Sequence, residues 1–302
     1  MKKVIIIAGP TAVGKTKTAV ELAKKLNTQI ISCDSMQIYK GMDIGTAKVT
    51  EEEKNGIAHH LIDIVEPQDY YSVGSYSEDA QKEISKLFEK NKIPIFAGGT
   101  GLYINSVIYK MDFNDTDKDE TVRQKYEQYY SENGEDALFA LLQEKDINAS
   151  QKIEKQNIKR VIRALEIAEN NDKVNPFEKI SEFQDYEVKL YVLALDRKIL
   201  YERINNRVDK MLENGLVDEV KNLINSKVPT GSTSMKAIGY RQIIDYLDGK
   251  TDYQTSVELI KRDSRRYAKR QYTWFRRYAF AKWIDTAIYT PEQIADLIYN
   301  EI

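Results

Sequence analysis

Gly9, Pro10, Thr11, Ala12, Val13, Gly14, Lys15 and Thr16 read G-P-T-A-V-G-K-T, a fit to the phosphate-loop pattern G-x-x-x-x-G-K-[ST]. In such a loop backbone N–H groups and the first turn of the next helix converge on an anion. The lysine adds a mobile cation, and the last hydroxyl is placed to ligate Mg²⁺. The expected ligand is a diphosphate or a triphosphate, with Thr16 as the metal contact. A glycine-containing turn without a ligand is the plain alternative, and the flanking residues speak against it. An apolar run, Val4 through Ala8, precedes the loop, and Ala19, Leu22, Ala23 and Leu26 mark one face of a helix after it.

Two further stretches carry groups able to act on whatever the loop holds: D-S-M-Q-I-Y-K-G from Asp34 and G-G-T-G-L-Y from Gly98. Asp34 fits a proton acceptor for a nucleophile facing the phosphate, a helix cap, or a Mg²⁺ holder acting through water. Gly98, Gly99 and Gly101 let the backbone approach a ligand closely, and Thr100 offers a hydroxyl there; a capped tight turn fits the same residues. The two histidines, His59 and His60, are adjacent and have no metal-ligand spacing with other residues, so they read as structural. Cys33 is the sole cysteine, which excludes an intramolecular disulfide and a Cys-based zinc site. A buried, inert thiol is its expected state.

Positioning these groups requires strands that end beside the loop. Short apolar runs at 4–8, 29–33, 61–65 and 93–97 alternate with helix patterns, one of them over 76–90, which predicts an α/β fold with a doubly wound parallel sheet. In such sheets ligands gather at the carboxyl ends of the strands, where Asp34 and Gly98 fall. Over residues 112–186 the strand runs vanish. Helical patterns at 120–131, 136–144 and 151–169, flanked by polar stretches at 112–119 and 172–176, predict a mostly α-helical insertion between core segments 1–111 and 187–302. The run at 188–195 is expected to rejoin the sheet. Arg203 and Arg207, one helical turn apart, are within reach of a phosphate, with ion pairs to Glu202 or Asp209 as the expected state.

A long helix is predicted over 253–281. At about 100° per residue, Arg262, Arg265, Arg266, Lys269, Arg270, Arg276 and Arg277 fall within an arc of roughly 140°. Ile260, Tyr267, Ala268, Trp274, Phe275 and Tyr278 take the opposite side. The charged arc is expected to face phosphodiesters, with Arg262, Arg266 and Arg270 as candidate contacts. A solvated charged face or a membrane-surface helix is the alternative, and seven cations offset nearby by Asp263 alone disfavour the first.

Composition agrees with a soluble globular enzyme: 302 residues, 42% hydrophobic, 30% charged, mean hydropathy −0.54. No apolar run approaches the ~18 residues of a membrane span, and the N-terminal apolar stretch is too short for a signal peptide, so a cytoplasmic location is expected. A net charge of −2 hides a polarity along the chain. Residues 112–146 hold eleven acidic and four basic side chains; residues 235–283 hold twelve basic and five acidic. A polyanion is drawn to the second region and kept from the first.

Six blocks together, G-P-T-A-V-G-K-T, S-C-D-S-M-Q-I-Y-K-G-M-D-I-G-T-A-K, H-H-L-I-D-I, G-G-T-G-L-Y, R-A-L-E and G-Y-R-Q, resemble the tRNA dimethylallyltransferases in order and approximate spacing over nearly the whole chain. The resemblance implies that the loop holds the diphosphate of dimethylallyl diphosphate, a leaving group, with Mg²⁺. It implies that Asp34 is the base taking a proton from the exocyclic N6 of adenine as that nitrogen attacks C1 of the allylic group, with Thr100 beside the reacting centre. It further implies that Ser35, Met36 and Gln37 touch tRNA next to the target base, that Arg123 lies at the reaction channel, and that Lys159, Arg160 and Arg163 make further tRNA contacts. The implied partner is the anticodon stem-loop of tRNA, acted on by a monomer. The target base must leave its stack to reach Asp34, as splayed bases do in RNA recognition. Two rivals stand beside this reading: a phosphate-loop small-molecule kinase, which the basic helix disfavours, and a non-enzymatic RNA-binding protein, which Asp34 disfavours.

Overall fold

β1 (Lys3–Ala8) is buried from Val4 onward, as a central strand covered on both faces must be. In chain order it is followed by α1 (Lys15–Leu26), β2 (Ile30–Cys33), α2 (Glu51–Lys54), β3 (His59–His60), α3 (Val73–Glu89), β4 (Ile95–Gly98) and α4 (Gly101–Ile108). Next come α5 (Glu120–Lys145), α6 (Ile147–Ser150) and α7 (Ile158–Glu169). The chain closes with β5 (Glu187–Ala194), α8 (Arg197–Glu213), α9 (Leu216–Asn225), α10 (Tyr240–Leu247), α11 (Tyr253–Phe275), β6 (Lys282–Asp285) and α12 (Pro291–Tyr299). These elements come from a computed structural model that describes residues 2–111, 120–169 and 183–302.

The strands form one six-stranded sheet, ordered β3-β2-β4-β1-β5-β6, with every pairing parallel. The doubly wound α/β arrangement expected from the sequence is therefore present, and the run at 188–195 does rejoin the sheet, with Val4 opposite Val188 and Ala8 opposite Val192. Alternation along β1 divides the core. Ile5 and Ile7 pack with Leu22, Leu200 and Ile294 on one face, while Val4, Ile6 and Ala8 pack with Tyr76, Ile84 and Ile104 on the other. A third cluster joins Ile38, Tyr39 and Met42 to Leu216, Val220, Tyr240, Ile243 and Ile260. It anchors the segment after Asp34.

Three expectations are corrected. The run at 61–65 is not a strand: the paired residues are His59 and His60, and Leu61 (φ 58°) and Asp63 (φ 56°) turn the chain through left-handed backbone. Ile64 and Val65 then donate to the carbonyl of Ile38, so this apolar stretch wraps the loop after Asp34 instead of entering the sheet. The long basic helix ends at Phe275, six residues early, and β6 and α12 follow it. β6 is a mostly exposed edge strand, which explains its weak apolar signal. The helix expected over 151–169 starts at Ile158, behind a separate short α6 capped by Asp146.

Contacts divide the chain into two compact units, Met1–Tyr109 with Phe183–Ile302, and Lys110–Glu182. The second is helical in its described part. Gly134 (φ 77°, ψ −177°) breaks α5 in its middle, and Tyr126, Leu138, Leu142, Val161 and Leu165 form its core. The polar stretches at 112–119 and 172–176 lie outside the described residues. Among the described residues no helix is long and apolar enough to cross a membrane.

Candidate active site

The loop between β1 and α1 owes its shape to two glycines and one strained alanine. Gly9 has φ 150°, and a Cβ there would lie 2.7 Å from the carbonyl oxygen of Leu193; Gly14 has φ 104° and Ala12 φ 64°. Lys15 opens α1 and folds back so that its Nζ donates to the carbonyl of Pro10 at 2.8 Å. Burial pushes its pKa from 10.5 down to about 8; the charge of Arg207 adds to the depression and Asp34 opposes it. Arg207, half-buried on α8, donates to Thr11 Oγ1 at 3.3 Å, and burial lowers its pKa as well. The expected ion pair with Asp209 is not formed, since that carboxylate holds Lys261 at 2.7 Å. Two cations thus meet at the loop with no carboxylate in ion-pair contact among the described residues, which is the electrostatics of an anion site.

Asp34 follows the end of β2. Its Oδ1 accepts the N–H of Met36 at 2.9 Å, an Asx turn that fixes the carboxylate without capping a helix. Its charge is felt by Lys15, Arg207 and Tyr267, so it lies within electrostatic range of the loop. Thr100, at the start of α4, accepts the N–H of Ser35 through Oγ1 at 3.0 Å and lies 3.3 Å from the Ser35 hydroxyl. The glycines around it are required by contact: a Cβ at Gly98 would lie 2.2 Å from the Cys33 carbonyl oxygen, and one at Gly101 2.3 Å from the Trp274 ring. Gln37 turns inward, its amide donating to the carbonyl of Ala47 at 3.1 Å.

The segment carrying Ser35, Met36 and Gln37 is held from below. The Glu219 carboxylate accepts the N–H groups of Asp43, Ile44 and Gly45 at 2.9, 2.7 and 3.0 Å, and the Tyr240 hydroxyl at 2.6 Å. A Cβ on Gly45 would lie 2.5 Å from the Tyr240 ring, so the M-D-I-G-T and G-Y-R-Q blocks interlock. Lys48, almost fully buried, ties the Tyr39 carbonyl to Asp43 and Asp63. Cys33 is buried against the Tyr76 hydroxyl, and burial pushes its thiol up to about 12, as an inert thiol requires. His59 and His60 bond to Ile57 and to Gln29, consistent with a structural pair.

On α11, Arg262, Arg266, Lys269 and Arg270 are exposed, with Arg270 over the Tyr267 ring at 5.6 Å. Arg276 and Arg277 lie just past the helix end, also exposed, and Arg265 is drawn inward to Asn205 at 2.6 Å. Asp263 pairs with Arg262 at 3.0 Å and Arg266 at 3.8 Å and also binds Arg241 and Gln242, which leaves Lys269, Arg270, Arg276 and Arg277 of the stripe outside its reach. In the helical unit, Lys159 and Arg160 are exposed, whereas Arg163 donates to Glu166 at 2.9 Å and Arg123 lies 3.2 Å from Glu127.

Comparison with known proteins decides the family. The model of the family described as IPP transferase matches residues 37–278. The chain belongs to that family. It is 48% identical, over 100% of its own length and 97% of the relative, to a tRNA dimethylallyltransferase of Clostridioides difficile, and 48% identical to one of Carboxydothermus hydrogenoformans over 99% and 97%. It is similar to the crystal structure of a full-length tRNA isopentenylpyrophosphate transferase from Bacillus halodurans (TM-score 0.75, 42% identity, 100% of this chain and 97% of that one). It is also similar to a eukaryotic dimethylallyltransferase studied acting on tRNA (TM-score 0.78, 27% identity, 94% of this chain and 74% of that one).

Three residues packed around the loop are poorly marked in the sequence of this IPP transferase family member. For Arg207 the sequence leaves a phosphate and an ion pair to Glu202 or Asp209 both open, for Gln271 it offers no motif, and Tyr267 falls on the packing side of α11. Gln271 is only 5% exposed; its Oε1 accepts the N–H of Thr11 at 3.0 Å and its Nε2 donates to the Gly99 carbonyl at 2.9 Å. The one available signal was a polar amide on the apolar face of an amphipathic helix, which is rare unless its hydrogen bonds are met.

Proposed function

We propose that this chain is a tRNA dimethylallyltransferase, moving the dimethylallyl group from its diphosphate to N6 of adenosine 37, beside the anticodon, and releasing diphosphate. The observation that carries the reading is the meeting of two cations at the loop, Lys15 on the Pro10 carbonyl and Arg207 on the Thr11 hydroxyl, with the Asp34 carboxylate near enough for its field to reach both. In this role loop N–H groups, Lys15, Thr16 and Arg207 receive the charge that grows on the leaving diphosphate oxygen. Asp34 takes the proton that N6 sheds as it bonds to C1, and Thr100 orients the acceptor. No covalent enzyme intermediate is needed, because an allylic diphosphate ionises readily once its leaving group is stabilised.

The donor set suits Mg²⁺. Among the described residues no cluster of three His, Cys, Asp or Glu is present, while Thr16 on the first turn of α1 offers a single hydroxyl beside the anion cradle. Mg²⁺ characteristically takes few protein ligands and completes its shell with phosphate oxygens and water. When bound, it would neutralise diphosphate charge. The tRNA side is assigned to Ser35, Met36 and Gln37 at the target base and to Arg262, Arg266 and Arg270 on the backbone. Arg123, Lys159, Arg160 and Arg163 are assigned further contacts from the helical unit. A small-molecule kinase finds no support in the relatives, all of the reported ones being transferases of isoprenoid groups to tRNA. Incubating the protein with unmodified tRNA, labelled dimethylallyl diphosphate and Mg²⁺ tests the proposal: label must enter tRNA at N6 of adenosine 37. Label transfer to no RNA, or phosphate transfer from ATP to a small acceptor, would overturn it.

A further inference from the structure

Three loops must keep fixed distances for the transfer: the phosphate loop that holds the leaving group, the segment that carries Asp34, and the G-G-T-G turn. They come from the ends of β1, β2 and β4. The sheet fixes their roots; their tips need another tie. One side chain supplies it. Gln271, 260 positions from Thr11 in sequence, accepts the Thr11 N–H and donates to the Gly99 carbonyl, spending one end of its amide on each loop. Its approach to the second loop is so close that a Cβ on Gly99 would lie 2.1 Å from Nε2. One turn earlier on α11, the Tyr267 phenol adjoins Gln271 and Thr100, and Thr100 in turn holds the N–H of Ser35 beside Asp34. A continuous polar path therefore runs from the phosphate loop through α11 to the acceptor side.

We propose that Gln271, assisted by Tyr267, is a positioning residue that sets the separation between the diphosphate cradle and the Asp34–Thr100 pair. The inference rests on the transferase reading above. The chemistry of position 271 is demanding. A carboxylate there cannot donate to Gly99, an ammonium cannot accept from Thr11, and asparagine is one methylene too short to span both. A purely packing role would ask for leucine or methionine instead, and would avoid the cost of burying an amide. Because both ends of the Gln271 amide are spent on the two loops, loosening it is expected to shift alignment more than binding. A misplacement of about 1 Å costs on the order of 10²-fold in rate.

The experiment compares unmutated protein with Gln271→Met and Tyr267→Phe. It measures kcat for prenyl transfer to tRNA, affinity for dimethylallyl diphosphate, affinity for tRNA, and melting temperature. The expected result is a kcat lowered about 10- to 10²-fold in Gln271→Met and less in Tyr267→Phe. Both affinities should stay within about threefold and melting should be shifted little, a split that lost folding would not produce. Unchanged kcat in both variants, or losses of activity, binding and melting temperature in parallel, would overturn the inference while leaving the transferase reading in place. No transfer by the unmutated protein would overturn that reading, and this inference with it.

Discussion

Lys15 is a half-buried cation with no carboxylate in ion-pair contact among the described residues, and that has a measurable thermodynamic signature. Its pKa stands at about 8 in the folded, ligand-free protein against 10.5 for the free side chain, with burial the first cause and Arg207 the second. The sign follows from linkage. Between pH 8 and 10.5 the unfolded chain binds the proton that the folded chain has lost, so this group adds stability as pH rises through that window and costs most below it. The cost is roughly 3 kcal/mol at pH 7 and about 1 kcal/mol at pH 9.5. Lys15→Met keeps the length of the side chain and removes the charge, at the loss of one hydrogen bond to Pro10 worth about 1 kcal/mol. The variant is therefore expected to be more stable than the unmutated protein at pH 7, by about 2 kcal/mol. That advantage should vanish by about pH 9.5. Urea unfolding of both proteins without ligand, at pH 7 and again near 9.5, measures the difference; calorimetric titration with dimethylallyl diphosphate should show binding in the unmutated protein only, with tRNA affinity nearly equal in the two. A variant less stable at pH 7, or a stability difference independent of pH, would refute the picture of an uncompensated lysine. Tight diphosphate binding by the variant would show that the cradle has been misplaced.

Asp34→Asn keeps the Oδ1 that accepts the Met36 N–H and loses the basicity, so kcat should fall about 10²-fold or more with both substrate affinities nearly kept. Near-normal turnover, or recovery at high Mg²⁺, would rule out a base. Arg207→Met should weaken diphosphate binding at least about tenfold and leave tRNA binding alone, as equilibrium titrations with each substrate would report. Replacing Arg266 and Arg270 together by alanine should make the fall of tRNA affinity with salt shallower by about one to two units of log–log slope. A slope equal to that of the unmutated protein would remove the exposed stripe of α11 from the interface.

The sheet was legible because β1 and β2 are short isoleucine-rich runs buried on both faces and β4 and β5 carry apolar runs of their own, a pattern that needs no partner to be recognised. The edges were not. β3 has two residues, and β6 leaves Lys282, Trp283 and Asp285 exposed, so neither carries an apolar signal. Leu61 to Val65 gave the opposite error, since an apolar run looks like a strand whether it joins a ladder or wraps a loop, and only the positive φ at Leu61 and Asp63 decides between them. For α12 the signal was present in local chemistry. Thr290 and Gln293 form a reciprocal cap around Pro291, a T-P-E-Q start that periodicity alone passes over.

The site divides along the same line between local and distant information. The loop from Gly9 to Thr16, Asp34 and the G-G-T-G turn were readable because each sits within a few residues of the strand end that presents it. The surroundings of Arg207 stay open in the sequence because a helix wheel shows which side chains share a face but not what that face meets. Nothing near Arg207 in sequence indicates that α8 leads it to the Thr11 hydroxyl, 196 positions away, where solvation is lost and an ion pair to Asp209 is out of reach. The burial that the sequence does not show is also what would make it effective in the proposed role. A guanidinium held half out of water beside a depressed lysine has met its desolvation cost in folding, so under the proposed function an arriving diphosphate would meet charges that need no further reorganisation. The same argument applies to Gln271, whose amide had to be buried to join the two loops. In both cases a polar side chain from a distant helix departs from the packing pattern of its own element, and that departure is a sequence-level sign that the element's inner face borders a site as well as a core.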